Sequence, residues 1–332
     1  MKMMRSPMSM FSLSLCLGLA APALAQEEAA PAAAQQTPTP EASEASPAVP
    51  ASAAPIAPPL APSLRLYFAN VDFLRANPIG IESQNRLILQ KRLSDSENML
   101  FRDNFLSGAL ALKLNPASMK VGPEVTFQPI AMLNVKGTFE YVQYFGAFGY
   151  LQSYPGPLGD FSDDARDLTK DNAYSTSGTH FMLEPTVQAK VKSFVVRSKT
   201  SIERWNVDLN EGDQATFYDA FLDTLVPGKG WVFTNDSDLL MLASPQLTFG
   251  ARFSAVFPQY EDLAEGVTKP DNSHMRIGPM AAYAFSTDEG GSFNRPTLFV
   301  NVAWYLKHPN REGAMPYVAA GFSFTSDIMN ME

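Results

Sequence analysis

From Met119 to Tyr141 the chain alternates with a period of two. Val121, Pro123, Val125 and Phe127 fall on one face, and Lys120, Glu124, Thr126 and Gln128 on the other. After a break at Ile130-Ala131-Met132 the alternation resumes. Val135, Gly137, Phe139 and Tyr141 then oppose Asn134, Lys136, Thr138 and Glu140. Successive side chains of a strand face opposite sides of a sheet, so this segment is predicted to be a hairpin with one apolar and one charged face.

The same pattern recurs downstream. Leu247, Phe249, Ala251, Phe253 and Phe257 form one apolar row. Met275, Ile277, Ala281, Tyr283 and Phe285 form another, and Leu298, Val300, Val302, Trp304 and Leu306 a third. The interleaved residues include Arg252, Arg276, Asn301 and Lys307. Strands are predicted near 64–72, 81–92, 99–114, 118–130, 133–147, 178–191, 194–206, 230–243, 245–257, 274–286, 296–307 and 315–326. Several exceed the usual strand length of about 5–6 residues and match the length of a tilted membrane-crossing strand. Short connections near 93–98, 131–132, 192–193, 244 and 287–295 alternate with long ones near 148–177, 207–229 and 258–273. An even strand count puts the long connections at one end and both termini at the other. That asymmetry, with repeated apolar and charged faces, predicts an all-β, antiparallel, up-and-down transmembrane barrel of about twelve strands. Gly122-Pro123, Glu184-Pro185 and Gly278-Pro279 are read as the starts of strands descending from the outer side, because proline is confined to strand starts, edges and bulges.

The N-terminus reads as an export signal over 1–25. Lys2 and Arg5 precede a short apolar run, and Ala23-Leu24-Ala25 is a small-x-small cleavage site. No stretch reaches the roughly 18 apolar residues of a membrane-spanning helix. Residues 26–63 are rich in alanine and proline and hold no aromatic residue, so they are predicted to be a disordered periplasmic linker. The barrel is assigned to 64–332. Cys16, the one cysteine, lies in the signal, so disulfides and thiol chemistry are excluded from the processed chain. The net charge is −9, and loss of Lys2 and Arg5 makes it more negative, which argues against nucleic acid as a partner.

In its export signal, alternating strands, aromatic-rich ends and closing Tyr317-Val318-Ala319-Ala320-Gly321-Phe322-Ser323-Phe324 segment, the chain resembles Gram-negative outer-membrane β-barrel proteins. The resemblance implies an outer-membrane location with the arm and C-terminus in the periplasm. It implies contact with lipid, lipopolysaccharide and the barrel assembly machinery, and no cofactor. Members of that class end on an aromatic residue, whereas TSDIMNME follows Phe324 here.

The register predicts a lumen lined by Lys113, Lys120, Glu124, Lys136, Glu140, Glu184, Lys190, Lys192, Arg197, Lys199, Glu203, Asp236, Asp238, Arg252 and Arg276. Two readings stand: pairing of opposite charges across a narrow polar lumen, or a channel wall that biases which solutes pass. The slight basic excess is too small to assign selectivity. Asp160, Asp163, Asp164, Asp167 and Asp171 offer oxygen ligands for a divalent cation but lack the glycine and alternate spacing of a calcium loop; a solvated acidic loop is the favoured reading. Thr216–Val226 is expected to form a short amphipathic helix in a long loop, packed on the rim; an inward lid and a partner-binding element are its alternatives. Of the histidines, only His180 has a hydroxyl neighbour, in Ser177-Gly178-Thr179-His180, and the histidine–x–serine order of outer-membrane lipid hydrolases is absent. The leading expectation is a porin-like channel for small polar solutes. A non-catalytic barrel in an envelope-spanning machine, docking periplasmic or cell-wall partners through 26–63, is the second. A rim lipid-modifying enzyme is the third.

Overall fold

The computed structural model describes residues 62–331, apart from positions 97, 213, 289–290, 312 and 314–315. The predicted signal and nearly all of the predicted linker lie outside the described residues.

The strands in chain order are β1 (Leu64–Ala76), β2 (Gly80–Arg92), β3 (Phe105–Asn115), β4 (Ser118–Ile130), β5 (Leu133–Phe145), β6 (Ser153–Tyr154), β7 (Ser175–Val191) and β8 (Phe194–Val207). They continue with β9 (Thr216–Asp219), β10 (Thr224–Pro227), β11 (Lys229–Leu242), β12 (Leu247–Gln259), β13 (His274–Ala284), β14 (Asn294–Lys307) and β15 (Tyr317–Met331). One helix, α1 (Asp163–Leu168), lies in the loop after β6. Twelve strands close a barrel in the order β1-β15-β14-β13-β12-β11-β8-β7-β5-β4-β3-β2. All the pairings are antiparallel, and β1 is hydrogen-bonded to β2 on one side and β15 on the other. Closure removes both edges, so every wall strand has neighbours on both sides.

The alternation survives intact in three dimensions. Val125, Phe127, Phe139, Tyr141, Phe249, Trp304 and Leu306 are exposed on the outer wall, while Lys120, Glu124, Glu140, Arg252 and Arg276 are buried inside. A barrel with its greasy side outward and its charges inward is built for lipid rather than water. Both termini of the barrel sit at one mouth, joined there by the connections 93–104, 131–132, 192–193, 243–246 and 285–293. The loops 146–174, 208–228, 260–273 and 308–316 crowd the other mouth.

Four local expectations change. The third strand begins at Phe105, because 99–104 form turns instead. The last strand runs on to Met331 and pairs as far as Leu64↔Met331, so most of TSDIMNME belongs to the wall. Lys192 is a turn residue at φ 55 rather than part of the wall. Pro123, Pro185 and Pro279 lie inside β4, β7 and β13, not at their starts. At each of them the ladder to the next strand lapses, between Val121 and Glu124, Leu183 and Thr186, and Ile277 and Met280. A proline has no N–H to donate, and the barrel tolerates this by leaving two residues unpaired on one side. At two of these sites the residue before proline is glycine, where the strands approach closely. A Cβ on Gly122 would lie 1.9 Å from the Phe139 carbonyl oxygen, and one on Gly278 would lie 1.9 Å from that of Val302.

Candidate functional site: a charge-lined lumen closed by a hairpin

The inward faces of β2, β3, β4, β5, β7, β8, β11 and β12 carry ion pairs. Glu124 meets Arg86 at 3.3 Å and Lys136 at 3.8 Å. Lys136 also reaches Glu184 at 2.5 Å, and Glu184 accepts from Lys199 at 3.0 Å. Lys199 lies 3.9 Å from Asp236. Asp238 is held by Arg252 and Arg197, each at 2.5 Å. Lys113 meets Glu140 at 2.7 Å. Buried charges are tolerable only when paired and hydrogen-bonded, and this wall meets that requirement by alternating signs around the bore.

The predicted lumen set is therefore mostly brought together: Lys113, Glu124, Lys136, Glu140, Glu184, Arg197, Lys199, Glu203, Asp236, Asp238 and Arg252 form neighbouring pairs. Lys120 lies over the Trp205 ring at 4.8 Å, and Arg276 lies over Tyr317 at 3.3 Å. Lys190 stands apart, exposed at the terminal mouth. His180 sits between two carboxylates, Nδ1 3.1 Å from Glu140 and Nε2 3.1 Å from Glu203, and stacks on Trp205 at 3.9 Å. Both imidazole nitrogens face acids rather than a hydroxyl, so a serine nucleophile has no base here.

Thr216–Val226 is not a helix on the rim. It forms the hairpin β9–β10, joined by β6 into a three-stranded sheet. The turn is built locally: Asp219 Oδ1 accepts from the backbone N–H of Phe221 at 2.7 Å and of Leu222 at 2.8 Å. Asp223 then adopts φ 51, a left-handed conformation that ends any helical run.

The hairpin springs from between β8 and β11 and crosses the bore. Phe217, Leu222 and Val226 pack with Val142, Trp205, Val232 and Val256 near its own side. Phe221 reaches the opposite wall, 6.0 Å from Phe73 ring to ring and joined to the cluster that includes Phe299 and Tyr317. Arg75 lies over the Phe221 ring and donates Nη1 to the Phe221 carbonyl at 3.1 Å and Nη2 to the Ala220 carbonyl. His274 Nε2 is 2.6 Å from the Leu222 carbonyl. Beneath the tip, among Glu82, Lys113, Lys120, His180, Glu203 and Phe221, a cavity of about 40 Å³ remains.

Asp223 is the latch of this closure. Its Oδ1 accepts from Tyr218 at 2.7 Å and Arg311 Nη2 at 3.0 Å. Its Oδ2 accepts from Arg311 Nε at 2.7 Å and Tyr305 at 2.9 Å, with His308 Nε2 at 3.1 Å. Burial alone would raise the Asp223 pKa, but His308 and Arg311 hold it well below the usual carboxylate range. Arg311 also donates to Asp163 at 2.8 and 3.0 Å and to Asn77 at 2.8 Å, tying three loops together.

The acidic loop does not form a cation cage. Asp163 is taken by Arg166 and Arg311, Asp167 by Lys170 at 3.0 Å, and Asp160 accepts from the Ser162 N–H at 2.9 Å. Among the described residues the metal-capable grouping is instead Asp223, His274 and His308, whose ligand atoms lie within 4.8 Å of one another. The Arg311 guanidinium already neutralises that carboxylate, which opposes a second cation there.

Sequence reading missed Arg75, Arg86, Asp223, Tyr305 and Arg311 as functional positions. Alternation alone turns Arg75, Arg86 and Tyr305 inward on β1, β2 and β14, and Arg86 pairs with Glu124 on the wall; no spacing signals that Arg75, Tyr305 and Arg311 meet the hairpin that carries Asp223.

The molecule is thus a closed, lipid-facing β-barrel with a plugged polar lumen. No family model matches the chain, and no curated protein matches it. Among solved structures, it is similar to the NanC porin at 9% identity, covering 79% of this chain and 100% of that one, with a TM-score of 0.36. It is similar to the KdgM porin at 8% identity over 79% and 99%, with a TM-score of 0.35. It is also similar to the translocator domain of the autotransporter NalP from Neisseria meningitidis, at 11% identity over 80% and 88%, with a TM-score of 0.40. The strand pairing of the chain itself defines the barrel.

Proposed function

We propose that the protein is a porin-like outer-membrane channel for small polar solutes, shut in the described conformation by the β9–β10 hairpin. The observation that carries this reading is a closed barrel whose interior is lined with charge and whose bore is crossed by the β9–β10 hairpin, joined by β6 of the neighbouring loop. The wall supplies both signs of charge, which suits small polar or ionic solutes rather than apolar ones. Withdrawal of the hairpin would remove Phe217, Phe221, Leu222 and Asp223 from the bore while leaving the wall ion pairs in place. In this reading 26–63 and both barrel ends face the periplasm, and the long loops face outward with lipopolysaccharide around them.

Single-channel recording in planar bilayers tests the proposal. The intact protein is expected to conduct rarely, and a variant with 216–227 replaced by a short glycine–serine turn is expected to conduct steadily. A folded, inserted variant of this kind that never conducts would overturn the channel reading. The second reading, a docking barrel in an envelope machine, draws support from the plug itself, since a shut lumen suits a scaffold. Cross-linking from the 26–63 arm to a periplasmic protein, with no conductance from the trimmed variant, would favour it. Barrel assembly machinery remains the expected partner during insertion.

A further inference from the structure

Among the described residues, two polar clusters interrupt the apolar outer wall midway along its strands. On β1 and β2, Asn70, Asp72, Ser83 and Asn85 face outward together. Asn70 Nδ2 donates to Asp72 Oδ1 at 3.3 Å and to Asn85 Oδ1 at 3.2 Å, and Asn85 Nδ2 donates to Ser83 Oγ at 3.0 Å. On β8 and β11, Ser198, Thr200, Asn235 and Ser237 do the same. Asn235 Nδ2 donates to Ser198 Oγ at 3.0 Å and Thr200 Oγ1 at 3.1 Å, and Ser237 Oγ donates to Asn235 Oδ1 at 2.9 Å.

Neither patch belongs to a rim. Along the strands the first is bounded by Phe68 and Leu87 towards one mouth and by Leu74 and Ile81 towards the other. Across them it is bounded by Phe322 and Phe324 of β15 and Leu112 and Leu114 of β3. The second is bounded by Val196 and Leu239, by Ile202 and Phe233, and sideways by Phe253, Ala255 and Val187. Both are polar islands in a lipid-facing surface, where hydrocarbon offers no hydrogen bonds and a carboxylate is costly.

Their placement identifies an occupant. In the ring of strands, four strands separate β1 from β11 and four separate β2 from β8, so the patches are diametrically opposite. They are also chemically complementary. Asp72 accepts a single hydrogen bond, the one from Asn70, and no basic side chain pairs with it among the described residues. Thr200 uses its oxygen to accept from Asn235, which leaves its hydroxyl proton as a donor, whereas the Ser198 hydroxyl lies 3.3 Å from Ser237 Oγ and is engaged within the patch. Two copies of the first patch would oppose Asp72 to Asp72, whereas the first against the second sets the Asp72 carboxylate against the Thr200 hydroxyl donor.

We propose that copies of this chain associate side by side in the membrane, the Asn70–Asp72–Ser83–Asn85 patch of one against the Ser198–Thr200–Asn235–Ser237 patch of the next. Opposite placement makes the contact repeat by simple translation, so the assembly is a row rather than a closed dimer. The inference rests on the membrane-embedded part of the proposed function, not on conduction.

Cysteine cross-linking in lipid vesicles tests it, in a Cys16→Ala background that has no other thiol. A mixture of Ser83→Cys and Ser237→Cys chains is expected to give cross-linked dimers on oxidation. The chain carrying both substitutions is expected to give a ladder of higher species. Cross-linking no greater than that of an Ile277→Cys and Ser237→Cys mixture would overturn the proposal. So would equally efficient cross-linking of Ser237→Cys with itself, which would mean a closed symmetric contact. Asp72→Leu with Asn235→Leu is expected to abolish the ladder while the barrel still inserts. Inserted barrels that conduct after hairpin trimming but do not cross-link refute the row and leave the channel reading standing. Failure to enter vesicles at all refutes the membrane reading and the row with it.

Discussion

Arg311 grips Asp223 through two parallel contacts, Nε to Oδ2 at 2.7 Å and Nη2 to Oδ1 at 3.0 Å, at the tip of a hairpin that crosses the barrel. Both side chains are buried. The pair matters because it joins the element that fills the bore to a loop on the far wall. A bidentate charge-assisted pair supplies direction as well as attraction. The fold thereby ties the hairpin to a segment far along the chain through one bidentate contact, beside those of Arg75 and His274.

Arg311→Ala is expected to loosen the hairpin strongly, because Asp223 would stay buried without its main counter-charge. Breaking one partner of a buried pair costs about 3–5 kcal/mol. Single-channel openings should become frequent, and the Arg311→Ala/Asp223→Ala double variant should show less than the sum of the two single effects. An unchanged opening frequency in Arg311→Ala would exclude the latch.

Acid should loosen the plug. Asp223 has a folded-state pKa below its unfolded value, so its contribution is fully present above the unfolded value, about 3.9. That contribution is lost as pH falls from there towards the folded value. The groups facing it are Arg311, His308, Tyr218 and Tyr305. Conductance recorded from pH 7 to pH 3 is expected to stay low until about pH 4 and then to rise. Asp223→Asn should flatten that rise, and a rise of equal size in the variant would assign the response to other groups.

Phe221→Ala removes the ring that meets Phe73 and Arg75 across the bore. Phe221 is partly buried, so its truncation is expected to cost less than the roughly 3–5 kcal/mol of a fully buried phenylalanine. The latch at Asp223 stays intact, so brief openings rather than a steady open state are expected in bilayer recordings. Steady conduction would mean that the aromatic contact, not the latch, holds the plug.

Gly122→Ala and Gly278→Ala should each weaken the barrel itself. The added methyl would meet a backbone carbonyl that cannot rotate away, so the strands must separate. Overpacking of this kind costs about 1–3 kcal/mol, more where only backbone can move. Urea-dependent loss of the folded, heat-modifiable band on gels is expected at lower denaturant than in the intact protein. Gly108→Ala, whose Cβ would meet nothing within 4 Å, is the control.

Much of the wall was legible in the sequence. The lumen faces of β4 and β5 follow directly from the alternation of Lys120, Glu124, Lys136 and Glu140, because a strand's period of two is a property of the chain alone. Length and loop asymmetry added the strand number and the common side of the termini. The first two strands were the faintest signal, since Asn70, Asp72, Ser83 and Asn85 break the apolar row. Those same residues now mark an outer-wall patch.

The plug was not legible. Thr216–Val226 carries apolar residues at a helical spacing, and its local pattern permits a helix as readily as a strand. Its fate is set by partners far along the chain: Arg75 is 146 residues from Phe221, and Arg311 is 88 from Asp223. A closed barrel, with its inside and its outside, is written into the order of the residues, because pleating and side-chain alternation are local. That the barrel is shut is not, because shutting it depends on contacts that exist only once the ring of strands has closed around the hairpin.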